Sequence, residues 1–264
     1  MEMGIYPSEP LSFFKRVNDK KLISERFVEH TKLTLDNIKR IAKIEGKVIF
    51  ARIKNFLKKF NINIAYDTLE LLLKLEALLH DVGKVASFYQ SQYNEVIRGR
   101  LESISFRGHE LCGAYVLYEV LKSLDMPIQL MRLGVLAILQ HHHAMRTIRE
   151  LLIRDIPDML ERGLRDWSPY EGHFYQLEIF FANMLEENHI DGIVAREILD
   201  KLNRSVTTTI NQVKGLISEV DIEAPLLPLL TTPLVMADRV SAKIIRKGGK
   251  TILDREIVRA YFTI

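Results

Sequence analysis

Apolar positions recur at helical spacing along almost the whole chain. Phe27, Val28, Leu35, Ile38, Ile41 and Ala42 fall on one face, with Ser24 as the expected cap, and the stripe continues past Gly46 through VIFARIKNFLKKF. A second helix is written in DTLELLLKLEALLH, with Gly83 just past its end, where a left-handed residue commonly closes a helix. Further helices are expected over about 109–123, 128–142, 173–189, 193–219, 233–246 and 254–262, with prolines such as Pro127 and Pro233 at starts or bends. No segment alternates convincingly with period two, so the expected class is all-α. The stretch 86–108 has no clean apolar stripe and is expected to be a long loop over or beside a functional site. No repeat or linker interrupts the pattern, which favours one domain over 1–264.

Composition narrows the chemistry. At 47% hydrophobic and 27% charged the chain is globular, and its one cysteine, Cys112, excludes a disulfide framework or a cysteine-based zinc finger. A cytoplasmic protein is therefore expected, with no membrane span and no signal peptide at its start. Net charge is only +3, but residues 1–60 carry 14 Lys+Arg against 7 Asp+Glu.

Six of the eight histidines fall in four short segments: His30, His80 beside Asp81, His109, and His141 to His143. Neighbouring residues on a helix project about 100° apart, so His80 and Asp81 meet different sides of a centre, and a carboxylate has two oxygens with which to bridge two cations. His30 lies on the core side of its helix. Asp238 follows Leu234 by four and precedes Ala242 by four, in the middle of an apolar face. A carboxylate there requires a cation, a metal or a strong hydrogen-bond network. A helix-end cap explains one of the three consecutive histidines well and three poorly, and Cys112 reads as a packing residue.

The order EH at His30, LLHDVGK at His80 to Lys84, GHE at His109, ILQHHHAMR at His141 to His143 and ADRVSA at Asp238 resembles the HD metal-dependent phosphohydrolase superfamily. More narrowly it is similar to the HD nucleases of CRISPR type I interference in their stand-alone form, and the likeness spans residues 29–242. A third consecutive histidine departs from the family pattern.

The resemblance implies a dinuclear site in an HD-domain helical bundle. One divalent cation would be held by His30, His80, Asp81 and Asp238, the other by Asp81, His109, His141 and His142, with Asp81 bridging and Lys84 giving positive charge to the reacting phosphate. Of the histidine run, the ligand pair is His141–His142 or His142–His143, since only adjacent residues can face one site; the family pattern favours the first, which would leave His143 toward solvent or substrate. Imidazole and carboxylate donors suit Mn, Fe, Co, Ni or Zn, and Mg less well. The implied activity is hydrolysis of single-stranded DNA, with a nucleotide phosphohydrolase of the same superfamily as the alternative. A phosphate-binding loop of helicase type is missing, so a helicase would be a separate chain working with an RNA-guided surveillance complex. Candidate DNA contacts are the basic helices of 15–60, including Lys54, Lys58 and Lys59, the Arg146 to Arg154 segment, and Tyr89, Tyr93 and Phe106 as stacking platforms.

Overall fold

The computed structural model describes residues 6–18, 21–142, 150–164, 166–190, 193–218 and 226–247. In chain order the elements are β1 (Leu11–Asn18), β2 (Lys21–Arg26), α1 (Phe27–Leu57), α2 (Tyr66–Leu79), α3 (Ser87–Gln90), α4 (Tyr93–Ile97), α5 (His109–Ser123) and α6 (Ile128–Gln140). They continue with α7 (Ile156–Glu161), α8 (Glu171–Glu187), α9 (Ile193–Leu202), α10 (Val206–Ile217) and α11 (Leu227–Lys247). Helices dominate, as the periodicity requires. None among the described residues is long and apolar enough to cross a membrane.

Helices α1 and α11, from opposite ends of the described chain, pack against each other, and α2, α5 and α6 complete the bundle. The stripe Phe27, Leu35, Ile38, Ile41, Ala42 is buried, and Phe27 meets Phe180 and Phe181 of α8 edge-on at 6.0 and 6.4 Å. Burying one such ring contributes about 1.5–3 kcal/mol. Across the α1–α11 contact the Asn37 side-chain amide donates to Ser241 Oγ at 3.0 Å, and Ser241 Oγ donates to the Ala237 carbonyl at 2.8 Å. This polar stitch lies within one turn of Asp238.

Four expectations change. An antiparallel hairpin, β1 with β2, precedes the bundle, pairing Phe13 with Glu25 and Phe14 with Ser24. Its register slips between Leu11 and Phe13 and again between Arg16 and Asn18, which destroys the alternation that would have announced it. Ser24 is consequently a strand residue, and α1 begins at Phe27, whose N–H donates to the Pro10 carbonyl at 2.9 Å. The stretch 86–108 is no open loop. Its first half folds into α3 and α4 and its second half runs against β1, and Gln90 bonds both the N–H and the carbonyl of Leu11, at 3.0 and 2.9 Å, tying the hairpin to the bundle. The expected 193–219 helix divides into α9 and α10, with Ser205 Oγ capping the second through the Thr208 N–H, and α11 starts six residues before Pro233. Residues 254–262 and His143 lie outside the described residues.

Two glycines bring α2 and α5 together. A Cβ on Gly83 would sit 2.2 Å from the His109 carbonyl oxygen, and one on Gly113 would sit 2.6 Å from that of Leu79. Only bare backbone permits this approach, which draws the turn carrying Asp81 onto the start of the helix carrying His109.

Candidate metal centre

The apolar run of α2 ends at His80, whose ring Nδ1 lies 2.9 Å from the Ala77 carbonyl three residues back. His141 stands in the same relation to Ile138 at the end of α6, and His109 to Phe106 at the start of α5, both at 2.6 Å. With Nδ1–H donated to a backbone carbonyl, each ring is fixed as one tautomer and its Nε2 lone pair is aimed inward. His30, from the first turn of α1, instead meets the Glu25 carboxylate with Nδ1. Glu25 is held in turn by Arg246 Nε at 2.7 Å.

All of these converge on Asp81, which is fully buried at the head of the short 3₁₀ turn (Val82–Val85) after α2. Its Oδ1 lies 2.9 Å from His109 Nε2, 3.5 Å from His141 Nε2 and 3.8 Å from His142 Nε2. Its Oδ2 lies 3.3 Å from His30 Nε2, 3.5 Å from His80 Nε2 and 2.7 Å from Lys84 Nζ. Asp238, on the buried face of α11, approaches His30 Nε2 at 3.0 Å and His80 Nε2 at 3.8 Å. Two clusters result, His30–His80–Asp81–Asp238 and Asp81–His109–His141–His142, and within each the ligand atoms lie within 4.8 Å of one another. All seven residues expected from the sequence are thus brought together, divided between the two oxygens of one carboxylate.

The donors fit divalent cations. His30, His80 and His141 are buried, yet their inward Nε2 atoms have no hydrogen-bond partner. Orphaned imidazole nitrogens beside buried carboxylates are what a cation would satisfy. Electrostatics points the same way. Burial raises the carboxyls of Asp81 and Asp238, but Lys84 and surrounding histidines at Asp81, and His30, His80 and His142 at Asp238, more than reverse it, so both stay well below the usual carboxylate range. Burial lowers the His30 imidazole, but Asp238, Glu25 and Asp81 lift it to about 9. His142, by contrast, is pushed down to about 3, first by desolvation and then by neighbouring His141. It is the most open of the seven, with 34% of its side chain exposed.

Above the centre lies a cleft of about 390 Å³ lined by Lys84, His141, His142, Asp238, Arg239, Ala242, Lys243 and Arg246. Lys84, one turn beyond Asp81, is 6% exposed, and its ammonium also faces the Phe106 ring at 5.6 Å. The other basic residues come from α11, where spacings of four and three set Arg239, Lys243 and Arg246 along one face. The lysines expected from the sequence to meet phosphates are not among these residues. Lys54, Lys58 and Lys59 lie at the far end of α1 and beyond; at 1.5 Å per residue, Lys54 is roughly 36 Å along the helix from His30. Arg146 lies outside the described residues, and Tyr89 is buried in an aromatic cluster with Phe88, Phe106 and Trp167, which removes it as a stacking platform. Glu25 and Arg246 were also missed. Glu25 lies in a stretch with no strand signal, and nothing local ties it to a residue 221 positions away.

The HD domain family profile matches residues 27–243, more than four-fifths of the chain, and the chain belongs to that family. Three relatives are each named CRISPR-associated endonuclease Cas3-HD. The protein of Saccharolobus solfataricus is 21% identical over 78% of this chain and 83% of its own length. That of Pyrococcus furiosus is 29% identical over 50% and 53%, and that of Methanocaldococcus jannaschii is 30% identical over 39% and 42%. A solved structure, the CRISPR-associated Cas3 HD domain protein of Methanocaldococcus jannaschii, aligns with TM-score 0.47 at 20% identity over 80% of this chain and 95% of that one.

Proposed function

We propose that this chain is a two-metal nuclease that hydrolyses single-stranded DNA in CRISPR interference, acting with a separate helicase chain and an RNA-guided complex. As a member of the HD family with curated relatives named as endonucleases, it is a metal-dependent hydrolase. The observation that carries the two-ion reading is the division of Asp81, one oxygen toward each histidine cluster. His30, His80, Asp238 and Asp81 Oδ2 would hold one ion; His109, His141, His142 and Asp81 Oδ1 would hold the other. Two cations held there would supply the charge that lowers the pKa of a water and offsets charge on the phosphate and leaving oxygen.

The protein's own part is orientation and charge. Backbone carbonyls lock three imidazoles, and the cationic and imidazole neighbours, against the cost of burial, keep Asp81 and Asp238 ionised on the floor of the cleft. Lys84 sets an ammonium beside Asp81 on the cleft wall, where a phosphate oxygen would arrive. Arg239 and Lys243 extend that charge along α11 and would hold the flanking phosphates of a strand. Among the described residues the wall is basic, with Ala242 its one aliphatic side chain and no phenylalanine, tyrosine or tryptophan to read a base. That favours a nucleic-acid backbone over a mononucleotide as substrate. The reading is tested by digestion of circular and linear single-stranded DNA with Mn, Co or Ni against chelator. Metal-dependent cleavage with mononucleotides spared supports it; turnover of mononucleotides with DNA left intact overturns it.

A further inference from the structure

We infer that Glu25 and Arg246 are a positioning pair for His30, and through it for one of the two cation sites. The inference rests on the two-ion reading above and names residues that the reading does not use. Of the four buried imidazoles at the centre, three hold Nδ1 against a backbone carbonyl of their own chain neighbourhood. His30 is held at that atom by a carboxylate carried on β2. Its orientation therefore depends on where the hairpin sits.

The hairpin is built to place that carboxylate. Glu25 pairs with Phe13 beside the register slip between Leu11 and Phe13, and such a bulge re-aims side chains. Glu25 is 1% exposed, and a charge so deep requires partners on both oxygens. One oxygen meets His30, and the other accepts from Arg246 Nε at 2.7 Å. Arg246 is fixed in turn by the Phe13 ring, its guanidinium 3.9 Å from the ring centroid. The hairpin, α1 and α11 are thereby joined at His30, with Arg246 two turns along α11 from Asp238. Removing an outer partner of this kind typically costs 10- to 100-fold in metal affinity.

The test is Mn(II) titration of the metal-free full chain, followed by calorimetry and electron paramagnetic resonance, on wild type, Glu25→Ala, Glu25→Gln and Arg246→Met. Wild type should take up two ions with an exchange-coupled spectrum. Glu25→Ala should weaken one ion by about 10- to 100-fold and leave the other unchanged, so that an uncoupled single-ion spectrum appears at low Mn(II). Glu25→Gln keeps an oxygen to accept the Nδ1 proton and should recover most of the loss. Should Glu25→Ala fail to fold, Arg246→Met decides, because that side chain is at the surface: it should weaken the same ion. Wild-type affinity for both ions in Glu25→Ala or Arg246→Met, equal weakening of both ions, or no recovery in Glu25→Gln overturns the inference. A wild type that binds fewer than two ions overturns the two-ion reading itself, and is distinguished before any variant is made.

Discussion

The two halves of the candidate metal centre are built by different means. Three histidines of one half, His109, His141 and His142, sit at the ends of α5 and α6, beside the turn that carries Asp81. Two of their rings are fixed by carbonyls only three residues away. The other half joins His30 near the start of α1 to Asp238 near the end of the described chain, and its outer support comes from Glu25 and Arg246, also far apart in sequence. Local hydrogen bonds form wherever the helix ends form, whereas the second half exists only once α11 has closed on α1. The first half should therefore tolerate change at the hairpin and α11, and the second should not.

The largest expected effect removes the residue that both halves share. Asp81→Ala should lose both ions and at least about a thousandfold in rate, the scale of removing a group that stabilises transition-state charge, while remaining folded by circular dichroism. Next, Asp238→Ala and His109→Ala should each lose one ion, from opposite halves, as counted by elemental analysis after dialysis. If either variant lost both ions, the halves would not be separable. Between them in the fold, Gly83→Ala should cost about 1–3 kcal/mol through overpacking and push His109 away from Asp81, read as a lower melting temperature together with weaker metal binding. Reversing charge at Arg239 and Lys243 should weaken single-stranded DNA binding and make its dependence on salt shallower, by about 0.7 in log–log slope for each phosphate that is no longer neutralised. The same change at Lys54, Lys58 and Lys59 should do less, because that patch lies far from the cleft.

A buried carboxylate outside both halves supplies the smallest effect. Glu76, one turn before His80, is fully buried, neither of its oxygens has a hydrogen-bond partner, and burial raises its carboxyl well above the ordinary value. A folded-state pKa above the unfolded one gives stability that is present below about pH 4.5 and is lost as pH rises through the folded value. Glu76→Gln escapes that loss. It should melt with wild type near pH 4 and above it near pH 8; equal melting at both would show that Glu76 has a partner.

What could be read beforehand follows from how local each signal is. Helices α1, α2, α5 and α6 carry strong apolar stripes, and the candidate ligands are chemically conspicuous, Asp238 because a carboxylate on an apolar face requires a cation, a metal or a strong hydrogen-bond network. The hairpin escaped because two register slips break its alternation, and α3 and α4 because four or five residues hold too few turns to show a period. The basic wall of α11 escaped for another reason. Arg239, Lys243 and Arg246 look like any solvated helix face until the fold sets them over Asp238, while the lysines of α1 form the denser run in sequence.

The central claim is that Asp81 bridges two ions, and anomalous X-ray scattering from Mn-soaked crystals tests it most directly. Two peaks about 3.5–4 Å apart, one on each oxygen of Asp81 and each reached by its own set of histidines, would agree with the account. A single peak, or two peaks of which one lacks Asp81, would contradict it.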